Sequence, residues 1–100
     1  MALQITEFRG VFSVHGVLNA SNSTILKQHM NRYINPKHPV ILNLERLKGI
    51  DTSATHVLRQ LYLNAMRSNS ILSIIGKGNK NILPVLDATK TSYILSDDRI

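Results

Sequence analysis

The 100-residue chain has no cysteine, and only five of its side chains are aromatic. Without cysteine there is neither a disulfide framework nor a thiolate metal site, and a reducing cytoplasm is the natural compartment. Acidic side chains are also scarce, 6 against 12 Lys and Arg, for a formal charge of +6. Glu7, Asp97 and Asp98 lie towards the ends, which leaves Glu45, Asp51 and Asp87 for the interior of the sequence. Hydrolysis by a carboxylate pair needs two acids converging on one site, and nothing in this spacing arranges that. No apolar run approaches the ~20 residues of a membrane span. The N-terminus lacks the basic flank and apolar region of a signal peptide, so a cytoplasmic protein is expected. The basic residues are scattered, with no block and few aromatics among them, which argues against nucleic acid as the partner. A basic surface facing an acidic protein fits better; a membrane surface stays open only through a transporter partner.

What is present is the composition of one globular domain, 43% apolar and 18% charged. Residues 1–100 are read as a single domain with one modest core, ending in a polar tail from about residue 96. Leu3 to Phe8 and Val11 to His15 alternate apolar and polar around Arg9-Gly10, the pattern of a hairpin with a two-residue turn. Asn19 to Thr24 is dense in capping residues, and Leu26, Met30, Tyr33 and Ile34 form the stripe of a helix over 21–34. Asn35-Pro36 ends it. Ser70 to Ile75 reads as a further strand. A loop follows at Gly76 to Lys80, without the spacing of a phosphate-binding loop. Pro84 places a helix over 81–88, because proline is tolerated in a first turn and not deep inside. Tyr93 to Leu95 is expected to add an edge strand. His15 and His29 have no partners at ligand spacing and are read as structural, and Arg59 and Arg67 as solvated.

The stretch that organises the chain runs from Val40 to Ala54. Val40, Ile41, Leu42 and Leu44 have the near-continuous apolar character of a strand covered on both faces. The stretch Glu45 to Ile50 reads as a loop, and Asp51-Thr52-Ser53 supplies three candidate N-cap groups in a row. Ala54, Val57, Leu58, Leu61, Ala65 and Met66 then fall at helical spacing, giving a helix over 52–67. Asp51 is expected to accept from the backbone N–H of Ser53 or Ala54. Asn19 or Ser21 should cap the first helix in the same way. A buried strand thus delivers exposed hydroxyls onto a helix N-terminus, where backbone dipoles favour negative charge.

The segment Leu44-Glu45-Arg46-Leu47-Lys48-Gly49-Ile50-Asp51-Thr52-Ser53-Ala54 resembles the strand-and-switch segment of the STAS domain family. That family includes bacterial anti-sigma-factor antagonists and the cytoplasmic end of sulfate transporters. Gly16-Val17-Leu18-Asn19 resembles the family's entry to its first helix, and the order of elements agrees over nearly the whole chain. The resemblance implies a single α/β domain of the STAS type: a mixed sheet of four or five strands with helices packed on it. It also implies one more amphipathic helix beyond Leu95, where this chain has only a polar tail.

The resemblance further implies a function in signal transduction and transcription regulation by partner switching. The unmodified domain would bind an anti-sigma-factor-type serine/threonine kinase. Phosphorylation of the hydroxyl after the aspartate, here Thr52 with Ser53 as second choice, would release it, and a phosphatase would reset it. Asp51 is the cap of that switch. The expected partner-binding residues are Asn19, Lys48, Gly49, Ile50, Thr52, Ser53 and His56. Ala54 stands where the family motif has glycine, and His56 where it has a small residue. Two alternatives are an accessory subunit of a lipid-transport ATPase, holding a partner at the same edge, and a core component of a signalling assembly. A nucleophilic Thr52 or Ser53 with His56 as base would be the only catalytic arrangement, and neither a nucleophile elbow nor an oxyanion arrangement accompanies it. No catalytic residue, metal or cofactor is expected.

Overall fold

Arg9 and Gly10, at φ 52° and 82°, are the two left-handed residues of a tight hairpin turn, and the sheet grows from that hairpin. In the computed structural model, which describes residues 3–97, the turn joins β1 (Gln4–Phe8) to β2 (Val11–Leu18). The two strands pair antiparallel from Gln4↔His15 to Phe8↔Val11. The chain continues through α1 (Ser23–Asn31), β3 (Val40–Asn43), β4 (Leu47–Ile50), α2 (Thr52–Arg67), β5 (Leu72–Ile75) and α3 (Leu83–Ala88) to a 3-10 turn at Ser92–Ile94. The sheet order is β1-β2-β3-β5, with β4 set beside β2. β2, β3 and β5 run parallel, as strands joined through helices do, so the sheet is mixed and five-stranded.

The helices bury their stripes against one face of this sheet. Phe12, Val14, Leu42 and Ile74 meet Leu26 and Met30 of α1 and Leu58 and Leu61 of α2 in a single apolar cluster. Lys27 Nζ donates to Gln60 Oε1 at 3.0 Å, tying α1 to α2 at the surface. The opposite face keeps Thr6, Phe8, Val11, Ser13 and Asn43 around a groove of about 290 Å³, beneath Arg46.

Five elements differ from the sequence-based expectation. The stretch Glu45 to Ile50 is not all loop: Leu47 to Ile50 forms β4, which pairs with Gly16–Leu18 of β2. Accordingly β2 runs past His15 to Leu18. Gly16, at φ 101°, makes this possible, because the register shifts between Gly16 and Val17 and the strand changes partner from β3 to β4. A two-apolar strand carrying Lys48 and Gly49 has too weak a pattern to be seen in isolation. The first helix is shorter than 21–34: residues 19–22 form a turn before it, and Tyr33, 45% exposed, lies past its end. The third helix begins at Leu83, with Pro84 in its first turn. Tyr93 to Leu95 is not an edge strand; Tyr93 and Ile94 lie in the 3-10 turn, and only Leu95 reaches the sheet, through one parallel bridge to Ile74. The tail expected from about residue 96 is described only as far as Asp97, whose carboxylate pairs with Lys77.

Candidate functional site

The strand-to-helix junction at Asp51 is held by that residue's backbone and side chain together. Its N–H donates to Leu18 O at 3.1 Å, which carries the β4–β2 pairing one residue further. Its φ of −102° and ψ of 173° are extended, as an N-cap requires, and Oδ1 accepts from Ala54 N at 2.8 Å. The second carboxylate oxygen does something the sequence did not announce. Oδ2 accepts from Ala20 N at 3.0 Å, across 31 residues of sequence. One side chain thus caps α2 and pins the turn that leads into α1.

That turn is built from asparagines. Asn19 Oδ1 accepts from Ser21 N at 2.9 Å and Asn22 N at 3.1 Å. Asn22 returns the bond, its Oδ1 accepting from Asn19 N, while its Nδ2 donates to Val17 O. Neither Asn19 nor Ser21 is the N-cap of α1, contrary to expectation. That position belongs to Asn22, whose side chain is already spent on the turn and makes no capping bond. Side chains of this type prefer such local turns to a helix interior.

The edge so formed brings most of the expected residues together. Asn19 is half-buried beside Asp51; Thr52 and Ser53 are exposed at the first two positions of α2, and His56 is exposed one turn on. Lys48 projects from β4 and is exposed. Two of the seven residues sit differently. Ile50 is only 8% exposed and belongs to the core, and Gly49 lies against Val17, where a Cβ would come within 3.8 Å of its Cγ1. Both contribute to the edge by packing beneath it rather than by presenting a side chain to solvent. Ala54 and Thr55 are fully buried, with Thr55 Oγ1 donating to Thr52 O at 2.7 Å. The Thr52 hydroxyl, by contrast, makes no hydrogen bond to any described residue.

The residues read as structural behave as such. His29 packs its ring against Phe12 and Tyr33, 5.9 Å and 5.5 Å between centroids, in a three-ring cluster. His15 lies on the outer sheet face, 3.4 Å from Thr6 Oγ1. Arg59 is not merely solvated, since its Nε donates to Tyr93 Oη at 3.0 Å. Asn79, in the glycine-rich loop, is the structural residue that sequence reasoning missed. It is 6% exposed, and its Nδ2 donates to both Leu44 O and Leu47 O at 2.9 Å. It closes the turn between β3 and β4, which no local motif signals.

Charge on the two helices is of one sign. α1 and α2 carry Lys27, Arg59 and Arg67 and no carboxylate at all. Lys48 extends this character to β4, and the nearby acid Asp51 is committed to two backbone N–H groups. An exposed hydroxyl therefore stands on a helix N-terminus whose edge also carries Lys48, and the helix end itself favours added negative charge.

Comparison with known proteins gives a family and a fold. The model of the STAS domain matches residues 1–93. A solved structure of the anti-sigma factor antagonist SpoIIAA in its unphosphorylated form is similar at a TM-score of 0.61 and 16% identity. The alignment covers 98% of this chain and 89% of that one. No curated protein matches the sequence.

Proposed function

The chain belongs to the STAS domain family, and on that premise we propose that it is a non-enzymatic protein-binding module of the anti-sigma-factor-antagonist type, switched by phosphorylation at Thr52. The observation that carries this is the Thr52 hydroxyl itself: exposed, unbonded, directly after the capping aspartate, on an edge that also presents Ser53, His56 and Lys48. The partner is a serine/threonine kinase of the anti-sigma type, with a phosphatase to reverse the mark. The basic helical face fits a partner whose contact surface is acidic.

The physical logic of the switch follows from magnitudes. A phosphate adds about −1.5 to −2 charges. Within its own chain that charge is favoured by the α2 dipole, by roughly 0.3–1 kcal/mol. Facing an acidic partner it costs several kcal/mol, on the order of a hundredfold or more in affinity. Binding therefore changes while folding does not. His56 and Ala54 stand where the family motif has small residues, so they tune which partner fits. Ala54 acts from within the core, and His56 acts by direct exposure.

The test is phosphosite mapping with the kinase from the source cells, followed by affinity measurements. Thr52→Glu should lose binding at nearly unchanged Tm. Thr52→Ala should bind and resist phosphorylation, and Ser53→Ala should remain a substrate. If Thr52→Glu binds as tightly as wild type, the same edge holds its partner constitutively, as an accessory transport subunit or assembly component would.

A further inference from the structure

Three of the sheet's boundaries can be compared, and they are treated differently. The free side of β5 is covered by the C-terminal segment, through the Leu95 bridge to Ile74 and Ser96 N donating to Ile74 O. The turn into β4 is closed by the Asn79 side chain on Leu44 O and Leu47 O. β1 pairs on one side with β2, and among the described residues no strand pairs with its other side.

Exposed edges of this kind recruit further strands, and proteins guard them with proline, lysine or a bulge. β1, with sequence Gln-Ile-Thr-Glu-Phe, has neither Pro nor Lys, and its register is unbroken from Gln4 to Phe8. Its one charge is turned away from guard duty, because Glu7 Oε2 accepts from Gly10 N at 2.9 Å, within its own hairpin. Phe8 is 70% exposed, with the Arg9 guanidinium 5.1 Å from its ring centroid.

We propose that β1 pairs antiparallel with β1 of a second copy of this chain, about a two-fold axis at Thr6, to form a continuous ten-stranded sheet. The register follows from the hairpin. In a two-residue turn the flanking residues Phe8 and Val11 form a hydrogen-bonded pair, and such pairs alternate along the ladder. Thr6 and Gln4 therefore direct their backbone groups at β2, and Ile5 and Glu7 direct theirs at the free edge. Facing copies then place Ile5 opposite Glu7 of the partner copy twice, with Thr6 opposite its own equivalent. On the outer face, Gln4 comes beside Phe8 of the partner copy. No like charges are opposed.

Electrostatics select a second copy at this edge over the rest of the surface. Residues 1–15 contain one acid, Glu7, and one base, Arg9, so the whole +6 resides beyond them. Arg46 is the one outside cation that lines the groove with Thr6 and Phe8, so the hairpin is where two strongly positive molecules can approach with reduced repulsion, and the pairing does not use the Thr52 edge. Five paired residues a side is a small interface, so the dimer is weak and reversible, with Kd on the order of 0.1 mM.

The whole chain serves for the test. Sedimentation equilibrium should show a concentration-dependent monomer–dimer equilibrium. Thr6→Lys, at an exposed position, puts two cations opposite each other across the axis and should weaken association at least tenfold with an unchanged circular dichroism spectrum. Because the chain lacks cysteine, Thr6→Cys adds the only thiol. Non-hydrogen-bonded antiparallel pairs lie about 4.5 Å apart at Cα, within disulfide range. Thr6→Cys should therefore cross-link on mild oxidation, whereas Gln4→Cys, displaced along the strand from its equivalent, should cross-link far more slowly. A monomer at millimolar concentration, wild-type association by Thr6→Lys, or equal cross-linking at the two positions would each overturn the proposal.

Discussion

Asp51 shows how much one carboxylate organises. It caps α2 through Ala54 N and fastens the entry turn of α1 through Ala20 N, so two otherwise separate elements share one anchor. Losing an N-cap alone costs about 1 kcal/mol. Losing the second charged hydrogen bond adds a comparable amount, so Asp51→Ala should destabilise by roughly 2 kcal/mol, a drop of about 8–16 °C in Tm. Thermal unfolding measures this directly. A loss no larger than that of an ordinary cap would mean that the Ala20 bond contributes nothing. Asp97 makes the opposite case. The Lys77 ammonium, by hydrogen bond and by charge, holds its carboxyl below the usual range. In sign, such a group stabilises above its unfolded pKa and stops doing so as pH falls through its folded one. The pair is exposed and its attraction screened, so Asp97→Asn should leave Tm unchanged in 0.15 M salt.

At the scale of elements, the loop from Gly76 to Lys80 and the junction of β3 with β4 depend on each other. Asn79→Ala would strip the partner from two backbone carbonyls in a buried place, at about 1–3 kcal/mol. The glycines of that loop should respond differently from one another. A Cβ on Gly76 would meet Ile82 Cδ1 at 3.1 Å and Leu44 Cβ at 3.4 Å, inside packed core. Overpacking of that sort costs about 1–3 kcal/mol. At Gly78 the nearest atom, Glu45 Oε2 at 2.7 Å, is the tip of an exposed side chain that can swing away. Gly78→Ala should then stay within about 0.5 kcal/mol of wild type. Chemical denaturation of the two variants checks the contrast, and similar losses at both would refute this account of the loop.

Across the whole molecule the surface is divided by charge. The helical side is basic and lacks acids on α1 and α2, whereas the β1–β2 hairpin is locally neutral. Binding at the Thr52 edge should consequently weaken with salt, because long-range attraction falls off as the Debye length shrinks from about 10 Å at 0.1 M to about 3 Å at 1 M. Charge reversal at Lys48, which is exposed and outside the core, should slow association more than it speeds dissociation. Stopped-flow or surface-based kinetics with the proposed kinase partner separates the two rates; an effect confined to dissociation would place Lys48 outside the steering field.

Local pattern by itself determined much of this protein. The hairpin turn at Arg9-Gly10 follows from alternation around a glycine, and the bounds of α2 follow from Asp51 and the apolar spacing after it. The apolar run at Val40 makes β3 an interior strand, and the structure places it between β2 and β5. Those features have causes within a few residues of themselves. Tertiary structure alone decided the rest. β4 exists because Gly16 lets β2 bulge and accept a second partner, a long-range pairing that no four-residue window contains. Ile50 became core and Lys48 surface only once that strand was paired, so the composition of the candidate edge was settled by the same event. Likewise the Asp51–Ala20 and Asn79–Leu44 bonds join residues more than thirty positions apart. A side chain's local preference can show that it will accept or donate a hydrogen bond; which distant backbone group it meets depends on how the strands stack, and that is fixed by burial of the common core.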